Sequence, residues 1–215
     1  MSQETIEIVG VLARTRPDRR LLVAVDGVDG SGKTTFAESL AGQLRACGRK
    51  VVVVHVDDFM NVTAIRHRRG RESPEGYFHD SYDYDSLIRY VLEPVSVDGD
   101  GWLRPGVVDR AADVVARRPL QHAAPGTVVI VEGLFLLRDE LATWWDYSVF
   151  LTVDTATSLT RKSRRDGLVL DSANPLTRRY VEGQRAYLSA CSPHERATWV
   201  VDSSDSVTLD RLDTR

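Results

Sequence analysis

The chain is poor in lysine, cysteine and methionine. Lysine occurs only at Lys33, Lys50 and Lys162, and every other basic residue apart from histidine is arginine. The 2 cysteines, Cys47 and Cys191, lie far apart and fit no metal-ligand spacing, so they read as small apolar residues on helix faces. No apolar run approaches the ~20 residues of a membrane span, so no membrane segment is expected. The start, Met1-Ser2-Gln3-Glu4-Thr5, has neither the basic residues nor the apolar block of a secretory signal, and the expected location is cytoplasmic. A net charge of −3 over 215 residues argues against a surface that coats nucleic acid. Repeats and low-complexity tracts are absent, and the length suits one domain spanning residues 1–215. Assembly into a homo-oligomer is left open.

What is present is an alternation of apolar runs with helix-patterned stretches. Residues 4–14 read as an amphipathic helix with Ile6, Val9 and Leu12 or Ala13 on its buried face. Strands are expected at 21–26, 51–54, 127–131, 148–153 and 199–201, and helices at 34–47, 83–92, 155–165 and from Asn174-Pro175 onward. Residues 60–82 read as a polar loop with a short helix at most. Within 94–126, Trp102-Leu103 and Val107-Val108 flank Arg104-Pro105-Gly106 as the arms of a small β-hairpin. Strands alternating with helices predict an α/β fold with a parallel, doubly wound sheet of five strands, whose ligands sit beyond the carboxyl ends of the strands.

Each strand end carries chemistry. After the first, residues 27–35 read Gly-Val-Asp-Gly-Ser-Gly-Lys-Thr-Thr, a complete phosphate-binding loop between a strand and a helix. Gly27, Asp29, Gly30, Ser31, Gly32, Thr34 and Thr35 shape a nest of backbone N–H groups for phosphate oxygens. Lys33 supplies a mobile cation, and the Thr34 hydroxyl suits a Mg²⁺ ligand. After the second strand come Asp57 and Asp58. Neighbours in an extended chain point opposite ways, so only one faces the site. A carboxylate there either takes a proton from an attacking hydroxyl or caps the next turn. Glu132 ends the third strand, as a metal-holding acid next to the nest or as a solvated carboxylate. After the fourth, Arg161, Arg164 and Arg165 share a helix face, as phosphate-binding forks or as a solvated basic surface. The run 66–71 reads as a solvated or acceptor-side loop. Tyr77, His79 and the aromatics around them either stack on a planar ligand or pack beneath a long loop. His55 and His122 read as structural.

These segments resemble the uridine kinase-like family of P-loop kinases, a group with phosphoribulokinase and a pantothenate kinase branch. The phosphate loop, Asp57-Asp58-Phe59-Met60, Val131-Glu132-Gly133-Leu134-Phe135-Leu136 and Arg161-Lys162-Ser163-Arg164-Arg165-Asp166 carry the resemblance, which extends from Leu21 to Asp202. It implies a three-layer α/β/α P-loop NTPase fold with a helical lid at about 155–172 and an acceptor side at about 59–82 and 94–126. It implies ATP as phosphoryl donor, Mg²⁺ as cofactor, and a hydroxyl of a small molecule as acceptor, with uridine or cytidine foremost. Asp57 matches the family's catalytic base. Arg161, Arg164 and Arg165 match arginines that close over ATP, with Gly167 as a flexible point. The site expected is therefore Asp57, Lys33, Arg161 and Arg165 for catalysis, Asp57, Tyr77 and His79 for the acceptor, and Thr34 with Glu132 for the metal. Pantothenate, nicotinamide riboside or a sugar as acceptor, and a regulatory NTPase without acceptor, are the rival readings.

Overall fold

The apolar runs form five strands, each too short and too rich in β-branched residues to compete as a helix. In the computed structural model, which describes residues 3–166 and 174–204, they are β1 (Leu21–Gly27), β2 (Val51–His55), β3 (Val128–Glu132), β4 (Tyr147–Thr152) and β5 (Trp199–Asp202). All pair in parallel, in the spatial order β2-β3-β1-β4-β5. Alternation along the strands splits the core between two faces. Leu21, Val23, Val25, Val128, Ile130, Val149 and Leu151 pack on one side. On that side lie Ile8, Val9 and Leu12 of α1 (Gln3–Arg14) and Ala37, Leu40, Ala41 and Leu44 of α2 (Lys33–Ala46). Leu22, Ala24, Val52, Val54, Val129, Val131 and Phe150 pack on the other. They meet Tyr77 and Phe78 of α3 (Pro74–Asp80) and Tyr187 and Cys191 of a long later helix. α4 (Thr155–Asp166) follows β4, and that long helix is α5 (Pro175–Cys191). The three-layer α/β/α arrangement expected from the sequence is present. Among the described residues no helix is long and apolar enough to cross a membrane.

Several local expectations need correction. In α1 the buried apolar residues are Ile8, Val9 and Leu12, while Ile6 is 56% exposed, because the apolar stripe facing α2 starts at Ile8. The continuous apolar run 51–54 reads as a fully buried strand, but Val51 and Val53 are only half-buried, since β2 is a sheet edge. Cys47 is exposed at the end of α2 rather than on an apolar face. Within 60–82 there are two helices, Thr63–Arg66 and α3. The signal for α3 was legible: Ser73 Oγ accepts from Gly76 N at 3.0 Å as N-cap, and Pro74 fills the first helical position. Helix α3 packs closely on α5 because position 183 is glycine. A Cβ there would lie 2.7 Å from Tyr77 Cδ1.

The expected hairpin arms do not pair with each other. Trp102–Leu103 pairs with Gln121–His122, and Val108–Asp109 with Val114–Val115. Gly106 O accepts from Arg118 N at 3.0 Å and Val107 O from Ala116 N at 2.8 Å, which joins the two pairs into one ribbon. Its tip is set by Asp109, whose Oδ1 accepts from Ala111 N and Ala112 N at 3.0 Å each.

Candidate active site

The carboxyl ends of β1, β2 and β3 open on a cavity of about 460 Å³. The phosphate loop forms its floor. Gly30 and Gly32 have φ of 74° and 83°, and a Cβ at Gly30 would lie 2.5 Å from Ser158 O, so only glycine fits against α4. Gly32 leads directly into α2, which aims its first N–H groups at the cavity. Lys33 Nζ donates to Val28 O at 2.8 Å. Burial lowers the Lys33 pKa, and Asp29, Asp26, Glu132 and Asp57 oppose the fall. A bound polyphosphate adds to that opposing side.

Glu132, 6% exposed, sits at the end of β3. Its Oε1 accepts from Thr34 Oγ1 at 3.1 Å and lies 2.6 Å from His55 Nδ1. This hydrogen bond raises the His55 pKa. Beyond β2 the chain turns at once into a 3₁₀ turn, Val56–Phe59. It separates the two aspartates by rotation about that turn rather than by strand alternation. Asp57 faces the cavity, where Tyr82 Oη donates to its Oδ1 at 3.0 Å and Arg110 Nη1 lies 3.2 Å from its Oδ2. Its side chain remains 42% exposed. Asp58 turns away, to Arg118 Nη2 at 2.6 Å.

The opposite wall comes from α4 and α5. Arg161 is gripped by backbone carbonyls, donating through Nη2 to Ser203 O and Ser204 O at 3.0 Å each. Lys162 is buried, pairs with Asp29, and stands 3.3 Å from the Tyr180 ring centroid. Gln184 Oε1 accepts from Asp29 N at 2.7 Å, so α5 also fixes the loop.

No protein-family model matches the chain. In sequence it is 25% identical over 193 residues to a uridine kinase of Lactiplantibacillus plantarum, across 81% of this chain and 87% of that one. It is 25% identical over 211 residues to a uridine kinase of Limosilactobacillus reuteri, across 92% and 90%. In structure it superposes on a possible uridine kinase from Bacillus stearothermophilus with a TM-score of 0.72, over 92% of this chain and 97% of that one, at 24% identity. It also superposes on a phosphoribulokinase from Rhodobacter spheroides with a TM-score of 0.60, over 87% and 74%, at 16% identity, which shows a common fold. The chain is thus similar in sequence to uridine kinases and shares the fold of P-loop kinases.

In this fold the residues singled out by sequence fare unequally. Asp29, Gly30, Gly32, Lys33, Thr34, Thr35, Asp57, Tyr77, Glu132 and Arg161 all line the cavity. Gly27 and Ser31 stand behind it; Ser31 is fully buried. Tyr77 is 6% exposed, with its hydroxyl 3.5 Å from Asp29 Oδ2, so most of its ring is core. His79 is not at the site: it is exposed and rests on the Phe78 ring, because α3 turns its Tyr77 side inward and its His79 side outward. Arg164 is exposed and does not line the cavity. The side chain of Arg165, and Gly167 with the rest of 167–173, lie outside the described residues. The run 66–71 divides: Arg68 and Arg69 clamp the buried Asp80, and Arg66 reaches the cavity. Sequence reasoning placed Tyr82 only within the aromatic cluster and Lys162 only within the basic run, gave Arg110, Arg179 and Tyr180 no role at the site, and assigned His55 to structure alone. Lys162 offered a further signal, as one of the few lysines; Arg110, Arg179 and Tyr180 come from distant segments without a motif.

Proposed function

We propose that the protein transfers the γ-phosphoryl group of ATP to a hydroxyl of a small molecule, with a nucleoside as the acceptor class to test first. The observation that carries this reading is the joint placement of Lys33, the Thr34–Glu132 pair and the Asp57 carboxylate on one cavity. A nucleoside is favoured because the relatives in sequence are uridine kinases.

The chemistry follows from position and charge. The loop N–H groups and Lys33 hold the phosphates, and Arg161 closes the far side. Thr34 hydroxyl and Glu132 carboxylate are hard oxygen donors, a set that fits Mg²⁺, which keeps most of its waters and binds through few protein ligands. When bound, that ion would supply neutralising charge to the β- and γ-phosphates. His55 orients the Glu132 carboxylate. Asp57, steadied by Tyr82 and Arg110, accepts the proton of the acceptor hydroxyl as it attacks phosphorus.

The test is ATP turnover with and without uridine, cytidine, pantothenate, nicotinamide riboside and sugars, reading both ADP and phosphorylated acceptor. Equal amounts of the two products with one acceptor support the reading. ADP formed at the same rate without any acceptor replaces it with a regulatory NTPase.

A further inference from the structure

Arg179 lies near the start of α5, lines the cavity and is 6% exposed. Its Nε has no hydrogen-bond partner among the described residues. Its guanidinium instead lies 5.3 Å from the Tyr77 ring centroid and 5.6 Å from that of Tyr180. A guanidinium keeps its charge at any ordinary pH, so burial cannot neutralise it as it would a lysine. A buried charge without a counter-charge is destabilising unless the working state supplies one.

Among the described residues the cavity wall has no acid left over. Asp29 is held by Lys162, Asp57 by Arg110, and Glu132 by His55 and Thr34. A second guanidinium lines the same cavity: the Nε of Arg66 is buried without a partner, while its Nη2 donates to Thr63 Oγ1 at 3.0 Å and pairs with Asp113 Oδ1 at 3.5 Å. Arg179 and Arg66 line the same cavity, and Arg66, with Met60 and Arg110, also lines the neighbouring cavity beneath the ribbon, on the acceptor side.

We infer that the cavity contains a second oxyanion site, centred on Arg179 with Arg66 beside it, which takes a carboxylate or phosphate carried by the acceptor itself. The inference rests on the kinase reading and narrows it: a neutral nucleoside leaves Arg179 unmatched, whereas an acceptor bearing both a hydroxyl and an anionic group satisfies it. Planar guanidinium forks suit both anions.

The first test titrates inorganic phosphate into protein already saturated with magnesium and a non-hydrolysable ATP analogue, so that the phosphate loop is filled. Wild type binds phosphate, and Arg179→Gln binds it about tenfold or more weakly, with affinity for the analogue unchanged. The inference is overturned if wild type takes no phosphate under these conditions, or if both proteins bind it alike. It is also overturned if Arg179→Gln loses the analogue instead, which assigns Arg179 to the nucleotide. Failure of folded wild type to bind the analogue at all contradicts the kinase reading, and the phosphate difference between the two proteins still decides the role of Arg179. The second test compares acceptors that differ by one charged group: glycerol with glycerate, ribose with ribose 5-phosphate, uridine with its 6-carboxylate. Wild type turns over the charged member of a pair faster, and the successful pair distinguishes carboxylate from phosphate. Arg179→Gln loses that preference while KM for ATP holds. A neutral member used equally well overturns the inference. Without ligand, Arg179→Gln unfolds at the same temperature as wild type or higher, because it removes an unmatched charge; a large fall marks a structural role and overturns the inference.

Discussion

On the proposed reading Asp57 and Lys33 serve different partners in one cavity, and substitution separates them. Asp57→Asn retains the hydrogen-bonding shape but no longer takes a proton, so turnover falls by about 10²–10⁴-fold while KM for ATP stays near the wild-type value. Steady-state kinetics at saturating acceptor checks this; undiminished turnover removes Asp57 from the mechanism. Asp57, Lys33, Thr34 and Glu132 were legible because each stands at a fixed offset from a strand end or within a contiguous motif. Tyr82 and Arg110, which hold Asp57, were not, since one follows α3 and the other sits at the tip of the 102–122 ribbon. His79 misled because aromatic and polar neighbours in sequence say nothing about which side of a short helix faces inward. Arg179 had no signal at all: among the described residues its buried Nε lacks a hydrogen-bond partner, which only packing reveals.

Helix α3 and the turn after it bring Tyr77 to the cavity and Tyr82 to Asp57, so what anchors them bears on function. The anchor is Asp80, fully buried and held by Arg68 and by Arg69 Nε at 2.9 Å. The Arg68 hydrogen bond keeps the Asp80 carboxyl below the usual aspartate range, against burial. A folded pKa below the unfolded value, about 3.9, means that the stabilisation is complete above that value and is lost as pH falls through the lower folded one. Both arginines are half-exposed, which screens the pair. Asp80→Asn is therefore expected to cost about 1–3 kcal/mol at neutral pH, and less as pH drops below 4. Denaturant unfolding of both proteins at neutral and acid pH measures it; a pH-independent difference contradicts the assignment. At this scale the strands and long helices were readable from periodicity. The ribbon register was not, because two-residue strands carry no period and the deciding turn depends on the Asp109 side chain.

For the whole molecule, parallel pairing followed from alternation of strands and helices, but the order β2-β3-β1-β4-β5 and the edge position of β2 came only from the structure. That order gathers the loop after β1, the turn after β2 and the acid ending β3 into one cleft, with α4 and α5 across from them. The gathering has functional meaning only if the loop grips a triphosphate. Calorimetric titration of magnesium and a non-hydrolysable ATP analogue into wild type and Lys33→Ala measures this directly. The account predicts saturable binding of one analogue per chain to wild type and a loss of about tenfold or more in affinity in Lys33→Ala. No binding to folded wild type, or equal binding to both proteins, contradicts it.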